Sequence, residues 1–161
     1  MLIYALDPGP AQSAIVGWDG QKLMVIAEKL NNDDLLAKNI QGREIVLAPG
    51  LLVIEQVMSY GRPVGADTFE TVFFSGRIAQ LWPWGFERLP RLEVKKHICH
   101  HGGAKDPHIR QALVDRFGPP STKKAPNPVH NGFKVSKDVW QAWALAVTWW
   151  DQYCDCRENY I

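Results

Sequence analysis

The segment LLVIEQV, residues 51–57, is apolar at alternate positions on both of its faces until the polar pair Glu55 and Gln56. A strand with one face in water alternates apolar and polar residues, whereas a run like this belongs to a central strand covered on two sides. The chain is thereby constrained to a layered α/β arrangement with helices on both faces of a sheet. Glu55 lies inside this run. An ionised carboxylate buried without a partner costs several kcal/mol, so a positive group has to hold it.

The remaining elements are spaced around that strand. LIYALD (2–7) reads as a strand ending at Asp7, where Pro8-Gly9-Pro10 forces a turn. SAIVGW (13–18) and KLMVIAEKL (22–30) flank Asp19-Gly20, a two-residue hairpin signal, so the first three strands form a meander. NNDDLLAKNI (31–40) offers Asn and Asp caps before a short helical pattern. The spacing predicts a helix over Val64–Leu81, with Gly76 as a close-packing point, and FERLPRLEV (86–94) as a strand, irregular at Pro90. Asp106 as cap and Pro107 at the first helical position start a helix running to about Phe117. A polar, Pro- and Lys-rich loop covers 118–135, and Ser136 caps a last helix whose Ala142, Leu145, Ala146 and Trp149 recur at helical spacing. This order predicts a single domain, 1–161, with a mixed five-stranded sheet flanked by helices in ribonuclease H-like layers.

With 46% hydrophobic residues in 161, the chain can bury an ordinary core. It contains no run of ~18–20 apolar residues, and MLIYALDPG lacks the charged start and cleavage site of a signal peptide, so a cytoplasmic protein without membrane contact is expected. Cys99, Cys154 and Cys156 make an odd count that fits free thiols. Neither CDC (154–156) nor HICHHGG (97–103) has a second ligand pair at good spacing, so no zinc site is expected.

Net charge is +1, but its distribution is uneven: eleven Lys or Arg lie between Arg88 and Lys137 against Glu93, Asp106 and Asp115, and all five histidines fall there too. Such a segment is either a solvated charged face or a surface that meets phosphates. Three carboxylates stand at distinctive places: Asp7 at the end of the first strand, Glu55 in the fourth, and Asp138 in the first turn of the last helix. Each taken alone is a turn residue or a charge favoured by a helix N-terminus. If the first and fourth strands are parallel neighbours, Asp7 and Glu55 lie side by side, and like charges that close require divalent cations between them. Two Mg²⁺ about 4 Å apart would then activate a water and stabilise the departing oxygen of a phosphodiester.

YALDPGPAQSAIVGW, LLVIEQVMSYGR, LEVKKHICHHGGAKDPHIRQALVDRF and DVWQAWALAV resemble, in that order, the successive blocks of RuvC-type Holliday junction resolvases, particularly phage-encoded members. The resemblance covers nearly the whole chain. It implies a ribonuclease H-like fold, a homodimer, Mg²⁺ or Mn²⁺ dependence, and paired nicks in opposing strands of a four-way DNA junction. It maps the metal-binding acids to Asp7, Glu55 and Asp138. The fourth acid of the family falls on Gln141, whose amide oxygen can ligate a hard cation but brings no charge. Asp151 lies roughly 20 Å beyond Asp138 along the helix and cannot replace it. Gln141 therefore leaves open a junction-binding protein with weakened cleavage, and a related nuclease acting on flaps, forks or RNA hybrids stays open as well. The same resemblance maps phosphate-holding lysines to Lys95 and Lys96, and to the neighbourhood of Lys105, a place Asp106 contests. Met58 and Tyr60, just after Glu55, fall where the family places an apolar or aromatic wedge against the DNA crossover, with loop packing as the alternative, and Arg62 beside them is expected to bind DNA.

Overall fold

A computed structural model describes residues 1–37, 39–40, 43–44 and 47–154. The elements are β1 (Ile3–Asp7), β2 (Gln12–Trp18), β3 (Leu23–Asn31), α1 (Asn32–Leu36), β4 (Asn39–Ile40), β5 (Arg43–Glu44), β6 (Leu51–Gln56), α2 (Ala66–Leu81), β7 (Phe86–Pro90), α3 (Arg91–Cys99), α4 (Asp106–Phe117) and α5 (Lys137–Tyr153), with one 3₁₀ turn at Pro128–His130. The main sheet has five strands in the order β3-β2-β1-β6-β7, antiparallel across β3, β2 and β1 and parallel across β1, β6 and β7. The expected mixed sheet is therefore present. A separate two-stranded ribbon joins β4 and β5. The ends of NNDDLLAKNI and of the CDC tripeptide, including Cys156, lie partly or wholly outside the described residues.

Successive residues of β1 enter opposite layers, which is how a strand with two apolar faces is used. Tyr4 and Leu6 join Ile15, Leu52 and Ile54 against α1 and α2, through Leu35, Phe74 and Ile78. Ile3 and Ala5 join Ala14, Val16, Trp18 and Val53 against α3, α4 and α5. From Val139 to Trp149 every residue of α5 is buried. Its Trp143 stacks on Phe117 with ring centroids 5.0 Å apart and meets Trp18 at 5.6 Å, so these tryptophans are core. Among the described residues, no helix is long and apolar enough to cross a membrane.

Several local expectations are corrected. The β2–β3 ladder closes at Trp18 opposite Leu23, so the connection is a four-residue loop, Asp19–Lys22, in which Asp19 Oδ1 accepts from the amides of Gln21 and Lys22. Gly17, at the register shift in this pair, lies so close to the Met24 carbonyl that a Cβ would stand 2.1 Å from its oxygen. FERLPRLEV is not one strand. Pro90 has no N–H for a further ladder bond, its backbone is extended as the N-cap, and Arg91 begins α3, with Val94 buried and Ile98 one turn on packed on the same core. The cap of α4 is Lys105, because Asp106 is drawn into the first turn with its carboxylate on Arg91. Ser136 occupies the N-cap of α5 but its hydroxyl makes no capping hydrogen bond. Gly76 packs against nothing: no described atom lies within 4 Å of where its Cβ would be.

Candidate metal and DNA site

The parallel register of β1 and β6, with Leu6 opposite Ile54, carries on to set Asp7, the last residue of β1, beside Glu55, the last but one of β6. Parallel strands bring these two acids together because each is the residue at which its strand leaves the core. The consequence is electrostatic. Burial lifts the Asp7 carboxyl to about 7, with the Glu55, Asp138 and Asp106 charges adding to the lift and Arg91 opposing it. Burial also raises Glu55, against the pull of Arg91.

Arg91 is the cation that Glu55 requires. It opens α3 directly after β7, the parallel neighbour of β6, and its guanidinium reaches across the strand ends. Nη1 donates to Glu55 Oε2 at 2.8 Å, while Nη2 donates to Asp106 Oδ1 at 2.6 Å and to Gln141 Oε1 at 2.9 Å. Burial favours loss of the Arg91 proton, but the facing Glu55 and Asp106 carboxylates more than offset it and raise its pKa. Gln141, only 5% exposed, is thus a neutral acceptor for a guanidinium. Asp138, one turn earlier on α5, is paired with Lys29 Nζ of β3 at 2.7 Å, with both side chains about 40% exposed.

The structure brings Asp7, Glu55 and Gln141 to one end of the sheet and lets the Asp138 charge act on Asp7. Among the described residues, however, no three His, Cys, Asp or Glu side chains are assembled as a ready metal-holding group. Glu55 is turned to Arg91 and Asp138 to Lys29. The donor chemistry fits a hard divalent cation all the same. It consists of carboxylate oxygens, two of them crowded enough that protonation or a cation must relieve them. Asp7, Glu55 and Asp138 are the residues that could hold such an ion.

The other singled-out residues surround this centre at varying distance. Met58 and Tyr60 are exposed and line, with Pro8, Glu55, Thr68, Thr71 and Arg91, a cleft of about 300 Å³. Tyr60 has a left-handed backbone, φ 50°, at the tip of this loop, and Arg62 is exposed beyond it. Lys95 is half-buried one turn after Arg91, and its charge is felt at Glu55; Lys96 and Lys105 are exposed. A second cavity, about 400 Å³, adjoins the centre on the other side and is lined by Asp106, Arg110, Val135, Lys137, Trp140 and Gln141. Asp151 lies away from the centre, held by Arg116 and His97, which keep its carboxyl below its ordinary range despite burial.

Arg91, Asp106 and Lys29 are the site residues that sequence reasoning missed. Glu55 signalled that a cation was needed, but which residue supplies it follows only once β7 is known to lie beside β6 and to end at Pro90, which delivers Arg91 to the same place.

A mixed sheet of antiparallel meander and parallel extension, with acids at the ends of its central strands and a buried helix across them, defines the ribonuclease H-like class. No protein-family model and no curated protein matches the chain by sequence. Among solved structures, Thermus thermophilus RuvC in complex with a Holliday junction substrate is similar over 92% of both chains, with a TM-score of 0.59 and 14% identity. A second Thermus thermophilus RuvC structure is similar over 94% of this chain and 96% of the other, with a TM-score of 0.58 and 15% identity. The fold of this chain is thus that of the RuvC resolvase structures.

Proposed function

We propose that the chain is a divalent-metal-dependent, structure-selective endodeoxyribonuclease that resolves four-way DNA junctions by paired nicks, acting as a homodimer. The observation that carries this reading is the pair Asp7 and Glu55 at the ends of parallel neighbours β1 and β6, under the α5 turn that bears Asp138 and Gln141, on a RuvC resolvase fold.

Asp7, Glu55 and Asp138 would hold Mg²⁺ or Mn²⁺, which when bound polarises a phosphodiester and makes a water nucleophilic near neutral pH. The chain's own groups do the rest. Lys95 and Lys96, with Arg110 and Lys137 beside Gln141, bind the sugar-phosphate backbone and set its register over the acids; such contacts carry affinity without reading bases. Met58 and Tyr60 enter the crossover from the loop after β6, where stacking on unpaired bases, ~1–3 kcal/mol each, favours an open junction over intact duplex. Lys105 and Arg62 lie further out along the same backbone path.

The homodimer is supported by α2. Phe69 and Phe73 are each 64% exposed and Val72 51%, an exposed apolar face with open space at Gly76 in line with it. Two opposed cuts need two active sites, and a two-fold dimer provides them.

A synthetic four-way junction incubated with Mg²⁺ or Mn²⁺ tests the reading: symmetric nicks that disappear in Asp7→Asn support it, and junction binding without metal-dependent nicking defeats it. The bond from Arg91 to Gln141 favours a second reading, a junction-binding protein with weak cleavage. A large gain in cleavage on Gln141→Asp would identify that case.

A further inference from the structure

The arginine at the centre of the site is more than a counterion for one glutamate. Its guanidinium bridges Glu55 on β6, Asp106 on α4 and Gln141 on α5, joining three elements at one point. The oxygen donors that a second divalent ion could draw on at this side of the centre are those of Glu55 and Gln141. Those are two of the groups that Arg91 already joins, at 2.8 and 2.9 Å. Residue 141 also has the chemistry of an arginine acceptor: a buried amide whose oxygen points to the guanidinium, where a carboxylate would add charge.

Charge balance leads to the same place. Asp7, Glu55, Asp106 and Asp138 are countered by Arg91 and Lys29, both in direct ion pairs with them. With Asp7 ionised, as cation binding requires, these pairs carry an excess of two negative charges, which one divalent cation cancels; Lys95, whose charge also acts on Glu55, is in no direct ion pair with them. A second divalent ion would overshoot unless Arg91 left, and leaving would deprive Asp106 of the guanidinium that holds it at 2.6 Å.

We propose that Arg91 is a resident cation standing in place of a second metal ion, so that this centre takes a single divalent ion, with Asp7 among its ligands. This rests on the metal-dependent reading above and sharpens it, replacing the two-ion expectation. In a one-ion site the guanidinium takes over the neutralising role on the Glu55 side of the scissile phosphate, and Gln141 and Asp106 position it.

Titration of the metal-free protein with Mn²⁺ alone, without DNA, followed by the paramagnetic resonance signal of free Mn²⁺ and by calorimetry, decides the matter. The native protein is expected to bind one Mn²⁺ per chain, Arg91→Lys also one, and Arg91→Met combined with Gln141→Asp two. Two ions of similar affinity on the native protein, or on Arg91→Lys, would overturn the proposal while leaving the nuclease reading intact. A folded double variant that still binds one ion would overturn it in the same way. No Mn²⁺ on any of the three would overturn the metal-dependent reading and this proposal with it. Should the double variant fail to fold, as circular dichroism would show, the native and Arg91→Lys stoichiometries still decide.

Discussion

Glu55 and Arg91 show how one residue's need selects its neighbour. A carboxylate at the end of an interior strand is tolerable because a guanidinium reaches it from the start of the next helix but one in sequence. Replacing Arg91 by Met should lower unfolding free energy by about 2–4 kcal/mol, since it leaves Glu55, Asp106 and Gln141 without their shared donor, and urea denaturation measures it. Gln141→Asp alone should not raise junction cleavage, because the centre is complete with Arg91 in place; a large gain in a cleavage assay would instead favour the weak-cleavage reading. Asp7 gives a pH signature. Its folded-state carboxyl titrates at about 7 against an ordinary 3.8, so between those values the folded protein binds more protons than the unfolded chain. Stability of the metal-free protein must then fall as pH rises through that window. Thermal melts from pH 4 to 8 should show the fall, and Asp7→Asn should flatten it. Asp7 and Glu55 were legible in the sequence because strand ends and apolar runs are local patterns. Arg91 was not, because its role depends on which strands are neighbours.

At the level of elements, the sequence signals succeeded where one periodicity ruled. The apolar β6, the meander and α5 each had a single repeat to follow. They failed at β7–α3, where a five-residue strand passes straight into a helix at Pro90 and the apolar residues of both read as one run. That junction is what delivers Arg91. On α2 the pattern was legible but half its meaning was not: Phe74 and Ile78 face the core, whereas Phe69, Val72 and Phe73 face outward. Phe69→Asp with Phe73→Asp should convert a dimer to a monomer in sedimentation while changing monomer stability by less than about 1 kcal/mol, as expected for exposed positions. The same variant should turn coordinated double cuts into unlinked single nicks. By contrast, Trp143→Ala should cost about 3–5 kcal/mol, because its ring fills the space between Trp18, Phe117 and Trp140.

Across the whole molecule, the basic segment covers the end of the sheet where Asp7 and Glu55 meet. The basic run from Arg88 to Lys137 supplies α3, α4 and the start of α5, the elements that pack on the same sheet face and bring Arg91, Asp106 and Gln141 to the acids. Junction binding should weaken steeply with salt, and Lys96→Ala should reduce the slope of log K against log salt by about 1 without changing which junctions are bound. The central claim is that Asp7 and Glu55 form a cutting centre rather than a structural ion-pair network. The most direct measurement is strand cleavage of a synthetic four-way junction by the native protein and Asp7→Asn at equal DNA occupancy, with Mg²⁺ or Mn²⁺. Symmetrically placed, metal-dependent nicks by the native protein alone are the predicted result. Bound junction left uncut by the native protein, or cut equally well by Asp7→Asn, would contradict it.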